Sequence, residues 1–389
     1  MDSIENVHNN IKTYIRTTHN INPDENISLS LTRLNSLSND IYHVIITNTS
    51  TNEIIEELAY RNFGEIGDIV NRPLEESVIS SLADNGLGPR ILSTDHKTYR
   101  MEEFLQNSLP VPHNTLKYEQ TLQQMIPTIL AYGEIAPVYT YTYVKESKSI
   151  SITKFNEHIE RPVNTNQNIY ELCMKDMLKK GLNHLEKFIN HSRISDTIPN
   201  DSCFFEKLDK IAKFAEKLND TWDTSFPKKG FFILNHNDTL SLNLLMKDDK
   251  ILLIDHEYGA LNLIGFDVVN YLVESNFNYV PYEFTHNEID LKLYHNIYLQ
   301  YIDAFEKSEK HSHFCNDDIG KEELKHMKSF KYFKDLLILD NILWFIFALI
   351  YFDYEKYTKE IGFNYFQHAY DRTVYYQTII DYINSNPSI

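Results

Sequence analysis

The sequence predicts an α+β fold in two lobes, a small antiparallel-sheet lobe over residues 1–103 and a larger, mainly helical lobe over residues 104–389. Three observations predict it. Strand-type patterns with polar turns dominate the first hundred residues, long amphipathic patterns take over from about Leu116, and 389 residues exceed one average domain. In chain order, residues 41–47 and 53–61 read as strands around the polar turn Asn48-Thr49-Ser50-Thr51-Asn52. Residues 73–85 have helical spacing, with Leu74, Val78 and Leu82 on one side, and Gly86 suits a C-cap. A further short strand leads into Met101-Glu102-Glu103-Phe104-Leu105. Helices follow over 116–126 (stopped by Pro127), 169–190, 204–220, 291–307, 330–352 and 361–384, with a hairpin over 138–153. Residues 342–352 are strongly apolar but too short to span a bilayer, and read as a buried helix. The first thirty or so residues and residues 132–162 carry no functional assignment.

The chemistry concentrates between Leu234 and Glu274. There His236-Asn237-Asp238 is followed by Asn243, and Asp255 closes the apolar run 251–254. That order suits phosphoryl transfer, in which one acid orients a hydroxyl while an amide and a later acid hold Mg²⁺ under ATP. In protein kinases the same steps read H-R-D-x-x-x-x-N and then D-F-G. Here Asn237 replaces the Arg, and D-F-G becomes Asp255-His256-Glu257, which makes the expected two-lobed fold protein-kinase-like. Residues 246–251 read as a turn between short strands, so Asn243 and Asp255 can converge on one metal. Mg²⁺ takes few oxygen ligands from protein and the rest from phosphate and water, which one amide and one carboxylate satisfy. Upstream, a strand ending in Arg61 and a helix with an early acid, Glu75, form the layout that sets a cation against ATP phosphates and clamps it with a carboxylate.

The block Ile254-Asp255-His256-Glu257-Tyr258, Asn262, Phe266-Asp267, Asn270 and Glu274, following His236-Asn237-Asp238 and Asn243, resembles the choline/ethanolamine kinase family. Arg61-Asn62-Phe63-Gly64, Gly86-Leu87-Gly88-Pro89 and Leu343-Trp344 extend the resemblance over roughly residues 30–380. It implies ATP-dependent phosphorylation of the hydroxyl of choline, the first step toward phosphatidylcholine, with ethanolamine as the nearest alternative acceptor. Asp238 is then the catalytic acid, with Asn243 and Asp255 on Mg²⁺. Arg61 and Glu75 serve ATP, and backbone at Glu102 and Phe104 reaches adenine. The family's Gly-Gly in the first hairpin is replaced here by residues 34–39, where Ser38 and Asn39 stand over the nucleotide; Asn tolerates left-handed backbone and Ser is small. The acceptor pocket implied is Tyr258, Glu274, Tyr279, Trp344, Phe347, Tyr365 and His368. A quaternary ammonium has no N–H to donate and is held by aromatic faces and carboxylates. Phe347 and His368 stand where the family carries larger or more electron-rich rings, and Ser275 follows Glu274 where Trp is frequent. Homodimers, common in that family, are the assembly it implies. Asp267 and Asn270 are expected to brace the loop holding Asp238, and His236 to be structural. A kinase-fold binding protein without turnover is the alternative from another class, against which intact Asp238, Asn243 and Asp255 count.

Composition narrows the partners. With 37 basic and 55 acidic residues the formal net charge is −18, which argues against nucleic acid and anionic membrane and is compatible with a small cationic amino alcohol. The start MDSIENVHNN has neither a basic n-region nor an apolar h-region, and Cys173, Cys203 and Cys315 form no disulfide or metal pattern; both point to a reducing cytoplasm. His311-Ser312-His313 reads as a solvated polar loop.

Overall fold

A computed structural model describes residues 4–24, 26–34, 40–63, 72–111, 119–144, 149–154, 174–194, 202–221, 229–279, 281–285, 289–360 and 362–386. The chain groups into two compact units, Met1–Pro110 with Asn243–Gly259, and Val111–Leu242 with Ala260–Ile389. The α+β class is as the sequence predicts, with antiparallel sheets and many helices.

In the first unit β1 (Ile27–Leu34), β2 (Asp40–Asn48), β3 (Ile54–Asn62), β4 (Ile91–Thr94) and β5 (Tyr99–Glu103) form a five-stranded antiparallel sheet in the order β1-β2-β3-β5-β4. The polar turn between β2 and β3 is closed by Asn48, whose side-chain oxygen accepts the Ser50 and Thr51 amides. Helix α1 (Ile4–Thr18) occupies part of the stretch left without assignment. Its Val7, Ile11, Tyr14 and Ile15 lie on one helical face and pack on Val44, Ile46, Leu58, Tyr60 and Met101 of the sheet. Helix α2 (Arg72–Asp84) ends as expected at Gly86, where φ is 68° and the Leu87 amide donates to the Leu82 carbonyl. Strands β10 (Leu244–Lys247) and β11 (Lys250–Leu253) make a hairpin, with β6 (Leu109–Pro110) beside it. Asp248 and Asp249 both have positive φ, as a two-residue hairpin turn of type I′ requires.

The second unit holds helices α3 (Glu119–Gly133), α4 (Met174–Ile194), α5 (Phe204–Asp220), α6 (Phe266–Glu274), α7 (Leu291–Lys307), α8 (Ser312–Cys315), α9 (Asp318–Met327), α10 (Phe330–Ile350), α11 (Tyr354–Thr358) and α12 (Tyr365–Ser385). Strands β7 (Tyr139–Val144), β8 (Ser149–Lys154), β9 (Lys229–Asn235) and β12 (Ala260–Leu263) form a second sheet, and β13 (Phe277–Tyr279) pairs with β14 (Tyr282–Phe284). Helix α10 is apolar nearly all round because it is the buried centre, packed by α4, α6 and α12. Among the described residues no helix is long and apolar enough to cross a membrane. The expected stop at Pro127 is overturned: α3 runs through it. Met125, Ile126, Ile129 and Tyr132 bury one face on both sides of the proline, and Thr128 Oγ1 donates to the Gln124 carbonyl.

Gly265, at the N-cap of α6, has φ of 88°, and a Cβ there would lie 2.6 Å from Cε2 of Tyr298. That ring is pinned by its hydroxyl, which donates to the Met327 carbonyl. Gly265→Ala is therefore expected to lower stability by about 2–5 kcal/mol, from left-handed backbone and overpacking together. An unfolding free energy from chemical denaturation within 0.5 kcal/mol of the parent (about the effect of a neutral surface change) would contradict this packing.

His311 overturns the expectation of a solvated loop, for it is 1% exposed and stacks on Phe305 at 4.6 Å between centroids. Burial pushes its imidazole down to about 4, opposed by Glu134 and assisted by His313 and Lys310. The unfolded ring titrates near 6.5 and binds the proton more readily than the folded one. The contribution is thus present above pH 6.5 and is lost as pH falls from 6.5 through 4, at up to about 1.4 kcal/mol per pH unit. His311→Phe should flatten this part of the stability–pH curve, measured by urea unfolding at pH 7.5, 6 and 5; an unchanged slope would assign it elsewhere.

Candidate active site

The loop carrying Asp238 is held from beneath by the first turns of α6. Asp267 accepts the amides of His236 (2.7 Å) and Asn237 (2.8 Å), while Asn270 accepts the Thr239 amide and hydroxyl. Asn270 in turn donates to Asp340 on α10, and Asn262 donates to the Asn237 side chain. Asn237 takes a left-handed φ of 67°, which turns the chain sharply just before Asp238. His236 Nδ1 accepts the Asp238 amide, a structural use of the ring. Every one of these groups is buried, and burial raises the Asp267 carboxyl to about 7 against the pull of the two amides. The loop is thus built by side-chain oxygens satisfying backbone that no helix or sheet pairs.

In the first unit Asn243 and Asp255 come together at the base of the β10–β11 hairpin, where the Ile254 amide donates to the Asn243 carbonyl at 3.0 Å. Asp255 has φ of 63°, left-handed, which swings its carboxylate out of the strand direction. Arg61 Nη1 donates to Asp255 Oδ1 at 2.6 Å. This replaces the Arg61–Glu75 clamp the sequence suggests. Glu75 instead receives Arg100 Nη2 (2.8 Å) and Arg72 Nη1 (2.7 Å). The reason is register: Arg100 on β5 lies directly opposite Arg61 on β3, so two cations share one face and each takes its own acid. Burial works against both the Glu75 anion and the Arg61 cation, but the opposite charges outweigh it. Arg100 leads in holding Glu75 below its ordinary range, and Asp255 leads in holding Arg61 protonated. Arg72 also lies 3.9 Å over the Phe63 ring.

Glu102 is buried with its carboxylate on Arg100 Nε, and Phe104 stacks on His43 at 3.7 Å. Ser38, Asn39 and Gly64 lie outside the described residues. Among the described residues no group of three His, Cys, Asp or Glu suits a metal. One amide with one carboxylate, as at Asn243 and Asp255, nevertheless fits an ion that keeps most of its ligands from phosphate and water, as Mg²⁺ does.

The implied acceptor residues of the second unit do assemble. Glu274, at the end of α6, accepts Tyr279 OH through Oε2 and Arg372 Nη2 through Oε1, both at 2.5 Å. His368 contacts the same Arg372, whose guanidinium also lies 4.1 Å over the Phe277 ring. From there rings follow in contact, from Tyr279 and Tyr282 to Phe363, Tyr365 and Tyr351, and on to Phe347 and Trp344. Tyr258 belongs to the first unit, where it ends the short helical turn His256–Tyr258. Arg372, Tyr282, Phe363, Tyr351 and Arg100 are missing from the sequence-derived set. Arg372 follows His368 by four residues on α12, so one helical face presents both, and that spacing was the available signal.

An antiparallel sheet unit with an arginine-paired Asp255, and a largely helical unit with a braced Asp238 loop, define a protein-kinase-like phosphotransferase that acts on small molecules. The family model for choline/ethanolamine kinases matches residues 32–377, and the chain belongs to that family. Membership implies ATP as phosphoryl donor. Among solved structures the chain is similar to a choline kinase from Cryptosporidium parvum Iowa II, at 16% identity and TM-score 0.64, over 99% of this chain and 97% of that one. It is also similar to a Plasmodium vivax ethanolamine kinase, at 14% identity and TM-score 0.57, over 99% and 91% of the two chains. The choline kinase LicA from Streptococcus pneumoniae follows at 14% identity and TM-score 0.50, over 97% and 100%. At such identities these likenesses show the fold. No curated protein matches the chain.

Proposed function

We propose that this kinase transfers the γ-phosphoryl group of ATP to the hydroxyl of choline, giving phosphocholine and ADP. One observation carries the choice of acceptor. Tyr279, Tyr282, Phe347, Tyr351, Phe363 and Tyr365 are each half-buried, so the wall they form keeps ring surface open. Both oxygens of Glu274 are already engaged, by Arg372 and Tyr279. A primary ammonium needs several acceptors. A trimethylammonium needs aromatic faces, each worth about 0.5–2 kcal/mol according to desolvation.

Asp238 accepts the hydrogen bond of the acceptor hydroxyl, orients it and takes its proton as the new O–P bond forms. Arg61, held by Asp255, positions phosphate oxygens, and Asn243 and Asp255 would hold Mg²⁺. When bound, that ion neutralises charge on the transferring phosphates. The test is ADP release from ATP and Mg²⁺ with choline, with ethanolamine and with no acceptor. A choline-dependent rate at least ten times that with ethanolamine at equal concentration, about 1.4 kcal/mol of discrimination, is expected. An ethanolamine preference would keep the chemistry and overturn the acceptor, and no acceptor-dependent rate would favour a kinase-fold binder.

A further inference from the structure

Arg372 is wholly buried on α12, yet its guanidinium has to be aimed at a carboxylate 98 residues away in sequence. The side chain that meets its Nε is His368, 3% exposed, whose Nε2 lies 3.3 Å from it. The other ring nitrogen, Nδ1, lies 3.2 Å from Tyr282 OH, and that hydroxyl lies 2.9 Å from Asp371 Oδ2. Asp371 also accepts Gln367 Nε2, which is held through its own oxygen by Lys207.

These distances admit one consistent set of proton positions. A guanidinium only donates, so His368 Nε2 has to be the lone-pair nitrogen. A neutral imidazole carries its single N–H on the other nitrogen, so Nδ1 donates to the Tyr282 oxygen. The hydroxyl proton of Tyr282 is then directed to the Asp371 carboxylate, which only accepts. An imidazolium in this place would face an N–H of Arg372 with an N–H of its own.

We propose that His368 is a positioning residue of the acceptor site: fixed as the neutral Nδ1–H tautomer by Tyr282 and Asp371, it aims Arg372 at Glu274 and so sets the orientation of the carboxylate at the aromatic wall. The role in acceptor binding rests on the function proposed above; the tautomer and the aiming of Arg372 do not. His368 is thereby distinguished from a member of the aromatic cage, which would act through its ring face.

The test uses the full chain in two arms. In the first, ¹⁵N NMR of histidine- and arginine-labelled protein at pH 7 is expected to show a pyridine-like Nε2 and a pyrrole-like Nδ1 for His368, with a protected Arg372 Nε–H. The protected signal should persist in His368→Gln, whose amide can accept from Arg372 and donate to Tyr282, and vanish in His368→Phe. The opposite tautomer, an imidazolium, or a protected Arg372 signal surviving in His368→Phe would overturn the proposal whether or not the protein phosphorylates choline. In the second arm, His368→Phe is expected to raise the choline KM about tenfold with kcat within threefold of the parent, and His368→Gln to restore KM to within threefold. A KM unchanged in His368→Phe, or raised in that variant and not restored by Gln, would overturn the positioning role. Absence of choline-dependent turnover in the parent would retire the proposed acceptor and leave the NMR arm to decide.

Discussion

Asp238→Asn is expected to lower kcat by about 10²–10⁴ while leaving the acceptor KM within about threefold, because the amide keeps the shape and loses the base. The loop should survive the change. Its supports come from Asp267, Asn270 and Asn262, and the contact from the Asp238 amide to His236 is backbone. Steady-state ADP release with ATP and Mg²⁺, on protein shown by its melting curve to be folded, measures both constants. A kcat within tenfold of the parent would move the catalytic acid elsewhere. Loss of KM and kcat together would instead point to damage in the loop, and the melting curve separates that case.

The second large effect is structural. Arg372→Met removes the cation from a site where Arg372 is 0% and Glu274 2% exposed. Breaking a buried pair by deleting one partner typically costs about 3–5 kcal/mol, because the surviving charge is left without compensation. Asp340, 3.7 Å from Arg372, changes this little: burial, with Glu274 beside it, raises its carboxyl to about 7, so much of the demand for a counter-ion comes from Glu274. The double variant Arg372→Met, Glu274→Gln should recover at least half of the loss, since no bare charge remains. Urea unfolding of the parent, both single variants and the double variant completes the cycle. Equal losses in Arg372→Met and in the double variant would show that packing of the long side chain, and not its charge, carries the stability.

Local pattern accounts for the part of the fold that the sequence specifies by itself. Residues 204–220 and 291–307 stand as α5 and α7 because a repeat near 3.6 residues is visible inside the element itself. The strands at β2 and β3, the turn at Asn48 and the cap at Gly86 are equally local, each set by side chains within a few positions. The order Asp238, Asn243, Asp255 is legible for a similar reason: phosphoryl transfer needs given donor and acceptor types, and short spacings limit which can be adjacent. By contrast, α1 has the same helical signal at Val7, Ile11, Tyr14 and Ile15, but only the sheet it covers makes that face meaningful.

The sequence by itself therefore determined the α+β class, most of the long helices and the order of acids and amide on which the proposed kinase site rests. The tertiary structure alone decided which charges meet. Arg61 could take Glu75 or Asp255, and it takes Asp255 because β3–β5 register sets Arg100 across from it to claim Glu75. Glu274 reads as an open anion until α12 brings Arg372 to it, and His311 reads as solvated until Phe305 covers it. Pro127 ends a helix in isolation and is carried inside one here by the buried face around it. The physical reason is common to all four: burial and ion pairing depend on partners brought close by the fold, and neither periodicity nor spacing along the chain records which distant residue will arrive.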